Sequence, residues 1–115
     1  MQTASRPDAA LAKPSYRVLF ENKSAKISDS ARAPLEELSN AMKERENLRV
    51  QLMAYADGTS ETASQARRLS LSRALAVRSF LINQGVRSTR MDVRALGNKA
   101  ESGPSDRVDA VLVER

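Results

Sequence analysis

The stretch from Leu48 to Leu81, LRVQLMAYADGTSETASQARRLSLSRALAVRSFL, leaves few choices of local structure. Leu48, Val50, Leu52 and Ala54 alternate with Arg49, Gln51, Met53 and Tyr55, the period-two pattern of a strand with one face in a core. Asp57-Gly58 follows closely and breaks the strand. Leu69, Arg73, Ala76, Val77, Phe80 and Leu81 then recur at three- and four-residue steps, which predicts a helix with an apolar stripe that ends at Gly85. Asp57 is thereby expected at the carboxyl end of a strand, where a side chain projects into a crevice rather than a core.

The flanking segments supply the rest of a small domain. Tyr16, Val18 and Phe20 alternate with Arg17 and Leu19 to suggest a first strand, which turns away at Glu21-Asn22-Lys23-Ser24. Ser28-Asp29-Ser30 offers several helix caps, and Leu35, Leu38 and Met42 mark the buried stripe of a first helix. Pro34 is tolerable only near the start of that helix. Met91, Val93 and Ala95 predict a third strand, and Val108, Ala110 and Leu112 a last one, separated by the loop GNKAESGPS from Gly97 to Ser105. The order β-α-β-α-β-β suggests an α+β domain with at least one parallel pair made by a crossover and an antiparallel hairpin at the end. Residues 1–15 are Ala/Pro/Ser-rich and without periodicity, and read as a flexible linker or arm ahead of a domain at residues 16–115.

Composition narrows the function classes. The chain has 115 residues, enough for one modest core. It contains no Cys and no His, which removes the disulfides, the commonest metal ligands and the commonest general base. With no metal-ligand cluster either, the reading is of a non-enzyme that needs no cofactor and no metal. The net charge of +5 invites a nucleic-acid reading, but the cations are spread along the chain and only 2 Tyr and 2 Phe are available for stacking. A solvated basic surface is the simpler account, with attraction to an anionic polymer such as the cell wall as the sharper one. No apolar run approaches the length of about 20 residues that spans a bilayer.

At this point ADGTSETASQARRLSLSRALAVRSFLINQGV resembles the OmpA-like peptidoglycan-binding domain of the OmpA, Pal and MotB superfamily. The shared features are an Asp after a strand (Asp57), the run Leu69-Ser70-Leu71-Ser72-Arg73-Ala74-Leu75-Ala76-Val77, and Gly85-Val86 before the next strand. The resemblance runs from Tyr16 to Val113 and implies a two-layer sandwich, a mixed four-stranded sheet with helices on one face. It also implies a ligand, the diaminopimelate residue of the peptidoglycan stem peptide, whose free end carries an ammonium and a carboxylate on one carbon. Asp57 would take the ammonium and Arg73 the carboxylate, because a guanidinium fork matches a carboxylate in bidentate fashion. Gly58 would add backbone N–H groups. Leu69 opens the motif, Glu21 and Asn22 follow the first strand on the pocket rim, and Arg107 matches a family Arg that helps close the site.

The chain also departs from the family pattern. Ala54-Tyr55-Ala56-Asp57 stands where the family has Gly-His-Thr-Asp, and the loop is one residue longer than usual. Ala66 replaces a loop Asn, for which Gln65 or Ser64 is the substitute. Ser105-Asp106-Arg107-Val108 stands for the family's Asn-Arg-Arg-Val, and Asp106 is placed to pair with its neighbour Arg107.

Spacing sets a further condition. If a straight helix began at Thr62, Arg73 would lie about 15 Å from its start. Thr62-Ala63-Ser64-Gln65 is a capping-box pattern and Ser70 a second candidate cap. We therefore expect a short helical turn near Thr62 to Arg67, a bend, and a main helix with Arg73 close to its start. Both Asp57 and Arg73 are expected to be exposed, so replacing either by Ala should change stability by no more than about 1 kcal/mol.

Two functional readings follow. In the first, the domain anchors a larger envelope protein to the cell wall without catalysis. It would work in the periplasm of a Gram-negative cell, with any outer- or inner-membrane attachment made by segments outside this chain. In the second, an OmpA-like scaffold with a degenerate pocket binds a protein partner or forms a homodimer. Asp57 and Arg73 facing one cleft would favour the first, and an internally paired Asp57 with a filled cleft the second.

Overall fold

A computed structural model of the chain describes residues 16–100 and 103–114. The arm expected at residues 1–15 lies outside the described residues. The elements are β1 (Tyr16–Leu19), α1 (Asp29–Glu44), β2 (Leu48–Tyr55), α2 (Ala63–Asn83), a short 3-10 helix (Ser88–Arg90), β3 (Met91–Gly97) and β4 (Arg107–Glu114). The four strands form one mixed sheet in the order β1-β4-β2-β3. β2 runs parallel to β3, and β4 runs antiparallel to both β1 and β2.

The expected terminal hairpin does not form, because β4 is inserted between β1 and β2 and never touches β3 in the ladder. Burial explains the exchange. Val108 and Ala110 face the core while Asp109 and Val111, on the opposite face, are buried too. A strand with both faces covered belongs inside a sheet. β3 exposes Asp92 and Arg94, the charged pattern of an edge.

Val18, Val50, Leu52, Ala54, Val108 and Ala110 share one face of the sheet and pack against Leu35, Leu38 and Met42 of α1 and Ala74, Val77 and Leu81 of α2. Both helices therefore cover the same face, as the resemblance implies. Pro34 lies within the second turn of α1, where it can donate no N–H to Ser30. The complete burial of Leu35 and Leu38 beside it holds the helix regardless.

α2 is one continuous helix, which corrects the expected bend. Thr62 makes no side-chain cap, since its hydroxyl accepts the Thr59 N–H at 2.8 Å and stabilises the preceding turn instead. Ser70 is no cap either: its Oγ donates to Arg67 O at 2.8 Å and accepts the Gly97 N–H at 3.0 Å, tying the helix to the end of β3. Gly97, at φ +59, lies so near Arg67 that a Cβ would sit 3.2 Å from its backbone. At the far end Gly85, at φ +102, closes α2, with Gly85 N bonded to Ile82 O and Val86 N to Leu81 O, a left-handed glycine cap.

Candidate functional site

Continuity of α2 makes the cleft. β2 stops at Tyr55, and the chain from Ala56 to Thr62 climbs along the first turns of the helix, so that Gly58 meets Ala66. A Cβ on Gly58 would lie 2.9 Å from the Ala66 Cβ, so any side chain at position 58 would force the loop and the helix apart. Asn98, just beyond β3, steadies this loop by donating its amide to Thr59 O at 3.2 Å.

Between the loop, the helix and the turn after β1 lies a cleft of about 440 Å³. Its walls are Asp57, Gly58 and Thr59 from the loop, Thr62, Gln65, Ala66 and Leu69 from the helix side, Asn22 and Lys23 from the turn, and Asp106 ahead of β4. The sequence thus pointed to Asp57, Gly58, Gln65, Leu69 and Asn22, and the fold brings these five together. Asp57 is exposed, and among the described residues its carboxylate has no ion-pair partner.

Arg73 is placed differently from the expectation. Its side chain is 0% exposed, and it does not line the cleft but lies behind it. The guanidinium joins three segments: Nε donates to Ser24 O (2.7 Å), Nη2 to Glu21 O (2.9 Å), and Nη1 to Tyr55 O (3.0 Å) and Asp106 Oδ1 (2.8 Å). Its Cζ also lies 5.2 Å from the centroid of the Phe20 ring. The β2–β3 register slips between Ala54 and Tyr55, and the Tyr55 carbonyl at this slip is the one that Arg73 takes. The expectation that Arg73 is exposed is therefore overturned, and alanine there should be costly, because it strands four partly buried acceptors.

Asp106 is the residue whose role the sequence reading missed. It pairs with Arg73, not with Arg107 as expected. Oδ1 accepts both Arg73 Nη1 and the backbone N–H of Asp57 (3.2 Å), and Oδ2 accepts the Asn22 amide (3.4 Å). Asp57 and Arg73 are thus joined through one oxygen of a third side chain. Burial opposes the charge on Asp106, but the bond from Arg73, those from Asp57 N–H and Asn22, and the Arg73 charge together hold its pKa below the ordinary carboxylate value of 3.8. The signal was present in the sequence, as an acid at a position where the resembled pattern carries a base.

Two further candidates lie elsewhere. Glu21 contributes its carbonyl to Arg73, while its side chain is exposed and borders a separate depression with Lys26 and Asp29. Arg107 points to the face of the sheet without helices. There its Nε donates to Asp109 at 2.9 Å, its Nη1 to Pro104 O, and its Cζ sits 4.3 Å from the centroid of the Tyr55 ring. The alternation of Arg107 with Val108 decides this, since Val108 takes the core side.

Comparisons with known proteins agree with the architecture. The OmpA-like domain of FopA1 from Francisella tularensis superposes with a TM-score of 0.77 at 22% identity, covering 85% of this chain and 71% of that one. The peptidoglycan-associated lipoprotein from Burkholderia pseudomallei gives 0.75 at 25% identity, with 90% and 92% covered. The C-terminal domain of Helicobacter pylori MotB gives 0.74 at 18% identity, with 87% and 85% covered. Comparison with curated protein sequences returns no match. The sequence profile of the OmpA family matches residues 19–109, most of the chain, and on that ground this protein belongs to the OmpA family.

Proposed function

We propose that the cleft binds the peptide stem of peptidoglycan, without catalysis, and so holds a larger envelope protein to the cell wall in the periplasm of a Gram-negative cell. The observation that carries this is the exposed Asp57 carboxylate, unpaired among the described residues, at a cleft lined by polar side chains together with Ala66 and Leu69. An ammonium such as the one on diaminopimelate would take Asp57 as its partner, with Gln65 and Asn22 available for amides of the stem and Leu69 for its methylenes. Arg73 supports the cleft from behind, and Arg107 and the Glu21 carboxylate stand outside it. Membership of the OmpA family and likeness to a peptidoglycan-associated lipoprotein support the same reading.

Sedimentation with purified diaminopimelate-type sacculi tests it. The parent should pellet with the sacculi, and Asp57→Ala should stay in solution with its melting temperature unchanged. Pelleting of Asp57→Ala like the parent overturns the assignment.

A second reading, contact with a protein partner or a homodimer, is favoured by Leu71, Leu75 and Ile82, which are exposed on α2 at helical spacing. Analytical ultracentrifugation checks it: a dimer should appear for the parent and vanish for Leu75→Glu.

A further inference from the structure

We propose that Asp106 occupies the carboxylate seat of Arg73, so that the cleft reads a ligand by its ammonium and disfavours a free carboxylate beside it. The inference rests on the stem-peptide reading above and names the class of stem that fits: one whose diamino acid presents an ammonium with its neighbouring carboxylate amidated or, as in lysine, missing.

The geometry carries this in three steps. A guanidinium has five N–H bonds, and Arg73 has given four of them to Ser24 O, Glu21 O, Tyr55 O and Asp106 Oδ1, with its side chain 0% exposed. No surface is left on which an incoming carboxylate can form a two-bonded fork. Asp106, in turn, already has what a bound carboxylate would seek: a guanidinium, a backbone N–H from Asp57 and an amide from Asn22. Its own carbonyl accepts Phe20 N at 3.0 Å, so its backbone is anchored at the entry to β4. A ligand carboxylate that displaced it would gain the same donors that Asp106 loses, and would leave two anions, Asp57 and Asp106, beside the new one.

The charged groups that face the ligand are therefore the exposed Asp57 carboxylate, the 21% of the Asp106 side chain that is exposed, and Lys23. An ammonium is attracted by both acids, whereas a carboxylate on the same carbon is repelled by them. Lys23 is a single point charge on a flexible stem and lacks the planar fork that would offset this repulsion. Amidation removes the repelled charge and supplies an N–H donor for the outer oxygen of Asp106.

Calorimetric titration with three soluble stem tripeptides tests the inference: free diaminopimelate, diaminopimelate amidated at the carboxylate next to the free ammonium, and lysine. The parent should bind the amidated and lysine forms about tenfold more tightly than the free acid. Asp106→Asn keeps the shape but removes one of the two repelling anions and leaves the Arg73 charge without its counter-ion, and should narrow that preference. A parent that prefers the free acid overturns the inference, and so does an Asp106→Asn protein that melts like a folded domain and keeps the parent's full tenfold preference. Should Asp106→Asn fail to fold, the order shown by the parent alone still decides. Failure of the underlying reading looks different: Asp57→Ala would then bind all three forms like the parent, or the parent would bind none.

Discussion

The first residues of β4 and the one before it serve two arginine–aspartate clusters that share almost nothing in purpose. On the helix side, Asp106 meets one arginine, Arg73, which spends most of its N–H bonds on backbone carbonyls of two separate segments. On the helix-free side, Asp109 is shared by two arginines, with Arg17 Nε at 2.8 Å and Arg107 Nε at 2.9 Å. The first cluster shapes a cavity, because its cation binds together the turn after β1, the end of β2 and the entry to β4. The second joins neighbouring strands of one sheet, β1 and β4, with the Tyr55 ring under Arg107 extending it to β2. Similar chemistry thus yields a site support in one place and a stiffened sheet in the other. The difference is that the carbonyls held by Arg73 lie in the turn after β1 and at the end of β2, whereas the carboxylate shared by Arg17 and Arg107 lies within β4.

Replacing Arg73 by Ala should break this contrast most severely. It leaves a partly buried acid and three carbonyls without their donor, so we expect a loss of about 3 kcal/mol in denaturant unfolding. Arg73→Lys should recover only part of it, since an ammonium cannot span the same acceptors. Asp109→Ala should cost less, about 2–3 kcal/mol, because Arg17 is partly exposed and can rehydrate. It should leave sacculus binding unchanged, and loss of binding there would erase the distinction between the two clusters.

Acid titration sharpens the comparison by a smaller effect. Asp106 has a folded pKa below its ordinary value of 3.8. Its contribution to stability is therefore fully present above that value and disappears as pH falls through the folded pKa. Unfolding followed from pH 5 downward should show parent stability falling more steeply than that of Asp106→Asn. The smallest effect is expected at Tyr55→Leu, which removes the ring from under Arg107 and should cost about 0.5–1 kcal/mol in the same assay.

Much of this molecule was legible one element at a time. The alternation of β2 and the stripe of α1 follow from local periodicity, and Asp57 at a strand end follows from the break at Gly58. The errors lie where two distant segments compete. Periodicity alone left α2 open to a bend, because Thr62 and Ser70 both look like caps. Each hydroxyl is instead engaged at its own site, the first in the turn and the second with Gly97. The hairpin expected from chain order failed for a similar reason, since pairing follows which strand is buried on both faces.

The chain by itself determined most of the elements, the family to which it belongs and one of the two acids in the cleft wall, Asp57, because each is written in the spacing of near neighbours. Only the tertiary structure decided what Arg73 does. Its acceptors lie 18 to 52 positions away in the sequence, and no local rule specifies which of several acids it meets. That choice depends on α2 running unbroken past the end of β2 and on Asp106 entering β4 from the core side. Those two facts of packing turn an arginine that reads as a ligand contact into a buried support with its own carboxylate already in place.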